Sequence, residues 1–230
     1  MKKIIIITIA VIMVLTLGFG ITSSANTPSA KATAKIGYLN LFSVAASGVD
    51  DSDFDITEWD TVLTQTIKTG SQKDLFIDVS LQTGMFTSTI VKSKGMTADT
   101  SLGFGAIRVM VVIDADEDDE QVVFPGHPIF FDTRIQRLSA TLQGEITSVD
   151  PITITDPEVI DLFIGTLSAH SFNFVAEDLP AGDHTVTVCA RGITYASSME
   201  GSALALAAIG LGSMTVEEVR MIKGEDIYFE

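Results

Sequence analysis

The stretch SFNFVAEDLPAGDHTVTVCAR, Ser171–Arg191, decides the fold class. Phe172, Phe174 and Ala176 alternate with Asn173, Val175 and Glu177, and beyond Asp183 the alternation resumes with Val186, Val188 and Ala190 on one face. A period of two belongs to extended chain with one face on a core. Between the two runs, Pro180 fixes φ and Gly182 tolerates a positive φ, so the spacing predicts a hairpin.

Outward from this segment the same signal recurs. Short alternating or apolar runs at Lys35–Val44, Thr57–Lys68, Asp74–Leu81, Met85–Lys92, Thr100–Asp114, Thr133–Ser148, Ala203–Ile209 and Ser213–Lys223 are separated by Gly, Pro, Asp and Ser. Many turn-separated strands indicate a sandwich or barrel. The expectation is an all-β chain, an antiparallel β-sandwich, forming one domain over residues 36–230. One exception is expected. Asp156-Pro157-Glu158 has the form of a helix start, and Val159, Ile160, Phe163 and Ile164 follow at helical spacing, which predicts a short helix near 157–164. In the last strand the apolar phase slips between Val216 and Val219, which predicts a β-bulge at Glu217-Glu218.

The segment DLPAGDHTVTVCAR (Asp178–Arg191), followed by GSMTVEEV (Gly212–Val219), resembles the last strands of jelly-roll modules of the TNF/C1q group. That resemblance covers about a fifth of the chain. It implies a compact jelly roll that often trimerises and binds partners at loops or subunit seams, and it carries over no catalytic residue.

The first 25 of the 230 residues have the form of an export signal: Lys2-Lys3, an apolar run from Ile4 to Gly20, then Ser23-Ser24-Ala25 before Asn26. An uncleaved anchor is the competing reading. Cleavage leaves 205 residues and moves the formal charge from −16 to −18, because Lys2 and Lys3 go with the signal. The expected location is secreted, at the cell surface, or periplasmic where an outer membrane exists. Residues 26–35 are small and polar, a flexible lead-in. So negative a chain repels phosphate backbones, so no nucleic-acid partner is expected. No later run is long and apolar enough to predict a membrane span.

Chemistry-bearing motifs are sparse. Asp114, Asp116 and Asp118 in the run DADEDDE are candidate calcium ligands, since acids at alternate positions of a turn converge oxygens on one ion. Asp119 stands where an EF-hand needs Gly, so only a looser loop site fits; a solvated acidic turn is the alternative. Asp50–Asp55 is a second acidic cluster. His127, His170 and His184 lack metal-ligand spacing. Cys189 is the single cysteine, a small, partly buried thiol or an intermolecular disulfide. Trp59 is expected in the core, and Arg108 and Arg191 in local ion pairs or at a subunit seam. No nucleophile elbow, phosphate loop or dinucleotide fingerprint is complete. Gly103 to Gly105 and Gly210 to Gly212 fit strand glycines at bends or close contacts. The expected function is therefore non-catalytic, a surface-layer, filament or trimer subunit that self-assembles. A monomeric glycan- or protein-binding module, with or without calcium, is the alternative, and a secreted hydrolase the minority reading.

Overall fold

The computed structural model describes residues 32–49, 52–93, 96–115, 121–142, 146–149, 152–154 and 158–221. The expected export signal and Asp116, Asp118 and Asp50-Asp51 lie outside them. Twelve strands follow in order: β1 (Ala32–Val49), β2 (Ser52–Ile56), β3 (Asp60–Thr69), β4 (Lys73–Ser93), β5 (Ala98–Ile113), β6 (Gln121–Val122), β7 (Ile129–Thr141), β8 (Ile146–Val149), β9 (Ile152–Ile154), β10 (Glu158–Leu179), β11 (Gly182–Ser198) and β12 (Ser202–Val219).

The pairing is nested. β1 pairs with β12, β2 and β3 with β11, β4 with β10, and β5 with β7, all antiparallel. A long two-stranded ribbon with its tip near β6 has that pattern. Rolled up, the ribbon brings β12 against β4 and β11 against β5. One sheet then runs β1-β12-β4-β10, and the other places β2 and β3 beside β11, then β5 with β6 and β7 on its far side. This strand order is that of a jelly-roll sandwich, and the antiparallel β-sandwich expected from the alternating runs is present.

Four local expectations are corrected. Residues 158–164 are strand, not helix. The N-cap pattern is a local signal, whereas β4 offers a ladder from Ser93 to Lys73 along the whole of β10. Second, the segment around Pro180 turns the chain without making a hairpin: β10 lies in the first sheet and β11 in the second. The positive φ there belongs to Asp178 (56°), not to Gly182. Third, Glu217 and Glu218 pair in step with Phe76 and Leu75, and the bulge falls earlier, where Gly210-Leu211 oppose Gln82 alone. That slip restores the phase, so Ala203, Ala205, Ala207 and Ile209 face inward before it and Met214 and Val216 after it. Fourth, the first strand begins at Ala32, inside the expected lead-in, and pairs there with Glu217. Several predicted strands also merge. Asp74–Leu81 and Met85–Lys92 are one strand, β4, whose ladder with β10 runs unbroken through Thr83; that residue is buried in mid-strand with its hydroxyl donating to Asp132 Oδ2 at 2.5 Å.

The interior has two unequal halves. At one end Ile77, Val79, Leu81, Ile107, Val111, Phe174, Val186, Val188 and Met214 form a continuous apolar core. At the other, Ala196, Ala203 and Ala205 let the sheets close together, and Gly103 lies so near that an added Cβ would meet the Leu204 carbonyl oxygen at 3.2 Å. Gln136 bridges this end: its Oε1 accepts from Thr87, and its Nε2 donates to Thr89 Oγ1 and to the Leu162 carbonyl. A buried amide with all these partners fixes the position of β7 over β4 and β10.

Candidate functional site

Of the candidate calcium ligands, Asp114 alone is described. It follows the end of β5 with a positive φ of 55°, and its carboxylate is already engaged: Oδ1 accepts the Thr185 amide at 2.7 Å and Oδ2 lies 2.8 Å from His184 Nδ1. Among the described residues no group of three His, Cys, Asp or Glu side chains is placed to hold a metal ion. His184 is 5% exposed, and its Nε2 lies 3.0 Å from the Pro180 carbonyl oxygen. Both ring nitrogens therefore face acceptors, an arrangement that only the doubly protonated ring satisfies. Burial opposes the charged form, but the bond to Asp114, the bond to Pro180 and the fields of Asp114 and Asp183 together raise the pKa above 6.5. This contact ties the end of β5 to the β10–β11 corner, and no spacing in the sequence announces it. A raised folded-state pKa contributes stability that is complete below the unfolded value of 6.5 and is lost as pH rises through the higher folded value. Melting curves across that window should show a fall in stability, flattened in His184→Gln; equal slopes in the two proteins would dismiss the pair as a pH-sensitive tie.

Cys189 lies on the outer side of β11 at 9% exposure, opposite in phase to the core residues Val188 and Ala190. Trp59, expected in the core, instead sits half-buried on that outer side under the Arg191 guanidinium, 4.6 Å from its ring centroid. His127 is exposed. His170 joins a small polar cluster between β10 and β7, its Nε2 lying 2.8 Å from Ser168 Oγ and 3.4 Å from Asp132 Oδ2. Serine and carboxylate address the same nitrogen, whereas a relay from serine through histidine needs one on each side of the ring.

The feature that stands out is β10 itself. It is the edge of its sheet, and among the described strands none pairs with its far side. Near its end, Val175 exchanges both backbone hydrogen bonds with Phe124 across that far side. Because the β10–β4 register is unbroken from Glu158 to Ala176, the odd-numbered residues of β10 direct their N–H and C=O groups away from β4. Asp161, Phe163, Gly165, Leu167 and Ala169 thus present a row of backbone donors and acceptors.

The side chains along this edge are apolar on both faces. Toward the other sheet stand Ile160, Leu162 and Ile164; away from it stand Val159, Phe163 (61% exposed) and Leu167 (70% exposed). Phe163 packs edge-on against Phe86 of β4, with ring centroids 4.5 Å apart. Folded proteins usually blunt such an edge with Lys, Pro, bulges or a covering loop. From Val159 to Leu167 the only charged residue is Asp161, and none is basic. The helix expected at 157–164 hid this strand in the sequence; the long run of Val, Ile, Leu and Phe was the available signal.

No family model matches the chain, and no curated protein matches it. Among solved structures the chain is similar to TmCBM61 in complex with beta-1,4-galactotriose, at 7% identity and a TM-score of 0.20 over 86% of this chain and 97% of that one. It is also similar to the structure of infectious bursal disease virus, Gx strain, at 8% identity and a TM-score of 0.17 over 86% of this chain and 46% of that one. No helix among the described residues is long and apolar enough to cross a membrane.

Proposed function

We propose that this chain is a secreted, non-catalytic assembly subunit that associates with a second copy of itself by strand addition along β10. The edge of β10, which no described strand pairs and which is apolar on both faces from Val159 to Leu167, is the observation that supports the reading. A partner for it must be an extended strand, to satisfy the backbone row, and must be apolar on both of its own faces, to cover both side-chain rows. β10 of a second copy meets both conditions. A two-fold axis at Gly165 sets Phe163 opposite Leu167, Asp161 opposite Ala169 and Ile160 opposite His170, so no like charges face each other across the seam. The two four-stranded sheets then continue as one.

The formal charge, −16 for the full chain and −18 without the export signal, opposes the approach of two copies, so association strengthens as salt screens it. The test is backbone amide exchange of β10 in dilute and in concentrated protein. Slower exchange at the edge amides of the concentrated sample supports the reading, and equal exchange in both overturns it.

A further inference from the structure

The outer face of the first sheet has a hollow that strand addition along β10 does not use. It opens where two neighbouring strands lose step at the same level. On β12 Gly210-Leu211 oppose Gln82 alone, and on β1 the pairing passes from Tyr38–Leu211 to Phe42–Ile209, so β1 carries extra residues opposite Gly210. Bulges re-aim side chains. Leu211 stands outward at 44% exposure, on the same face as Ile36 at 82%. Glycine at 210 leaves room for the Gln82 side chain, since an added Cβ there would meet Gln82 Oε1 at 3.0 Å.

The hollow measures about 330 Å³, and its lining includes Ile36, Ser80, Gln82, Ala169, Leu211 and Ser213. Ile36, Ser213 and Ser80 are successive partners across β1, β12 and β4, and Ala169 of β10 is the partner of Gln82. Two large apolar side chains thus stand beside two hydroxyls and one amide. The Ser80 hydroxyl donates to Asp78 Oδ2 over a long 3.4 Å, and among the described residues the Gln82 amide and the Ser213 hydroxyl are drawn into no other hydrogen bond. No lining side chain is charged, in a chain with 30 acids and 14 bases. On the outer face of the other sheet, by contrast, Arg108 and Arg191 are each already laid over a ring, that of Phe130 and that of Trp59.

We propose that this hollow binds one unit of a neutral saccharide. Hydroxyl and amide groups both donate and accept, as sugar hydroxyls do, and the C–H groups of a pyranose ring match the apolar surface of Ile36 and Leu211. A wholly apolar occupant fits less well, because it would cover Ser80, Gln82 and Ser213 without returning their hydrogen bonds to water. An anion meets no cation in the lining and is repelled by the negative field of the chain. The volume lies at the small end of the range for ligand pockets, which suits a single ring. The proposal does not depend on the β10 reading.

The test is titration with methyl β-glucoside and methyl β-galactoside, followed by the backbone amide resonances of Ala169, Gly212 and Ser213. At least one glycoside should shift them saturably, in the millimolar range and without weakening in added salt. Glucuronate, of the same size but charged, should bind more weakly, and so should cyclohexylmethanol, which lacks the ring hydroxyls. Gln82→Leu keeps the bulk and removes the amide, and should weaken binding about fivefold or more. Leu211→Ser, which removes an apolar wall, should weaken it as well, and a melting curve of each variant verifies that it is folded. Both variants keep the β10 sequence, so their light-scattering mass should equal that of the parent, and failure of this site leaves the assembly reading standing. No saturable shift with either glycoside, unchanged affinity in folded Gln82→Leu, or equal or tighter binding of glucuronate or cyclohexylmethanol would each overturn the proposal.

Discussion

Gly201→Ala should be the most damaging single methyl group that can be added to this sandwich. Gly201 lies in the turn between β11 and β12, and a Cβ there would sit 1.7 Å from the Ile90 carbonyl oxygen and 2.7 Å from its carbon. Both are backbone atoms of β4, so no rotamer change relieves the overlap; the turn or the strand must move. The surroundings resist that movement. Asp99 accepts the Lys92 amide on Oδ2 and the Thr100 and Glu200 amides on Oδ1, and the Ser198 hydroxyl donates to the Gly201 carbonyl. Shifting the turn strains these bonds as well as the close sheet contact. We expect a loss of about 3 kcal/mol or more, a fall of roughly 6–12 °C in Tm for a chain of this length. Gly182→Ala is the control, since nothing lies within 4 Å of its added methyl; there the change should stay within about 1 kcal/mol. Equal melting temperatures for the two variants would mean that the sheets are not this close at Gly201.

Gly165→Pro should abolish self-association while leaving the subunit folded. Gly165 directs its backbone toward the free edge of β10, so proline there removes an edge donor and leaves the β4 ladder intact. Gly165→Ala keeps the donor, and its methyl would meet nothing closer than a ring carbon of Phe163 at 3.7 Å, an ordinary contact. By light scattering, the alanine variant should show the mass of the parent assembly and the proline variant the mass of one chain. Parental mass in a folded Gly165→Pro protein would place the contact elsewhere.

The parts of the fold that depend on a residue's own neighbours were legible in the sequence. Alternation around Phe172, Phe174, Val186 and Val188 fixes strands with one buried face, and Phe174, Val186 and Val188 are all in the core. Gly210-Leu211-Gly212 marks a real irregularity, the bulge opposite Gln82. What failed were features decided by distant chain. Pro180 announces a turn, but whether the next strand returns to the same sheet depends on β4 and β5. Val159, Ile160, Phe163 and Ile164 fit a helix as well as a strand until the ladder with Ser93–Thr87 is known. The same limit hid the functional candidates. Asp114 and His184 meet across 70 residues, and the opposition of Arg108 and Arg191 requires the β5–β11 register. Both arginines were visible as strand residues, yet that no carboxylate among the described residues pairs with them is a property of the assembled sheet.

Amide exchange resolved along β10 tests the assembly reading most directly, because strand addition protects alternate residues. On concentrating the protein in screening salt, the amides of Asp161, Phe163, Gly165, Leu167 and Ala169 should slow. Those of Ile160, Leu162, Ile164 and Thr166, which face β4, should not change. Uniform slowing of both sets would indicate general stabilisation, and no slowing of the odd-numbered set would contradict assembly through this edge.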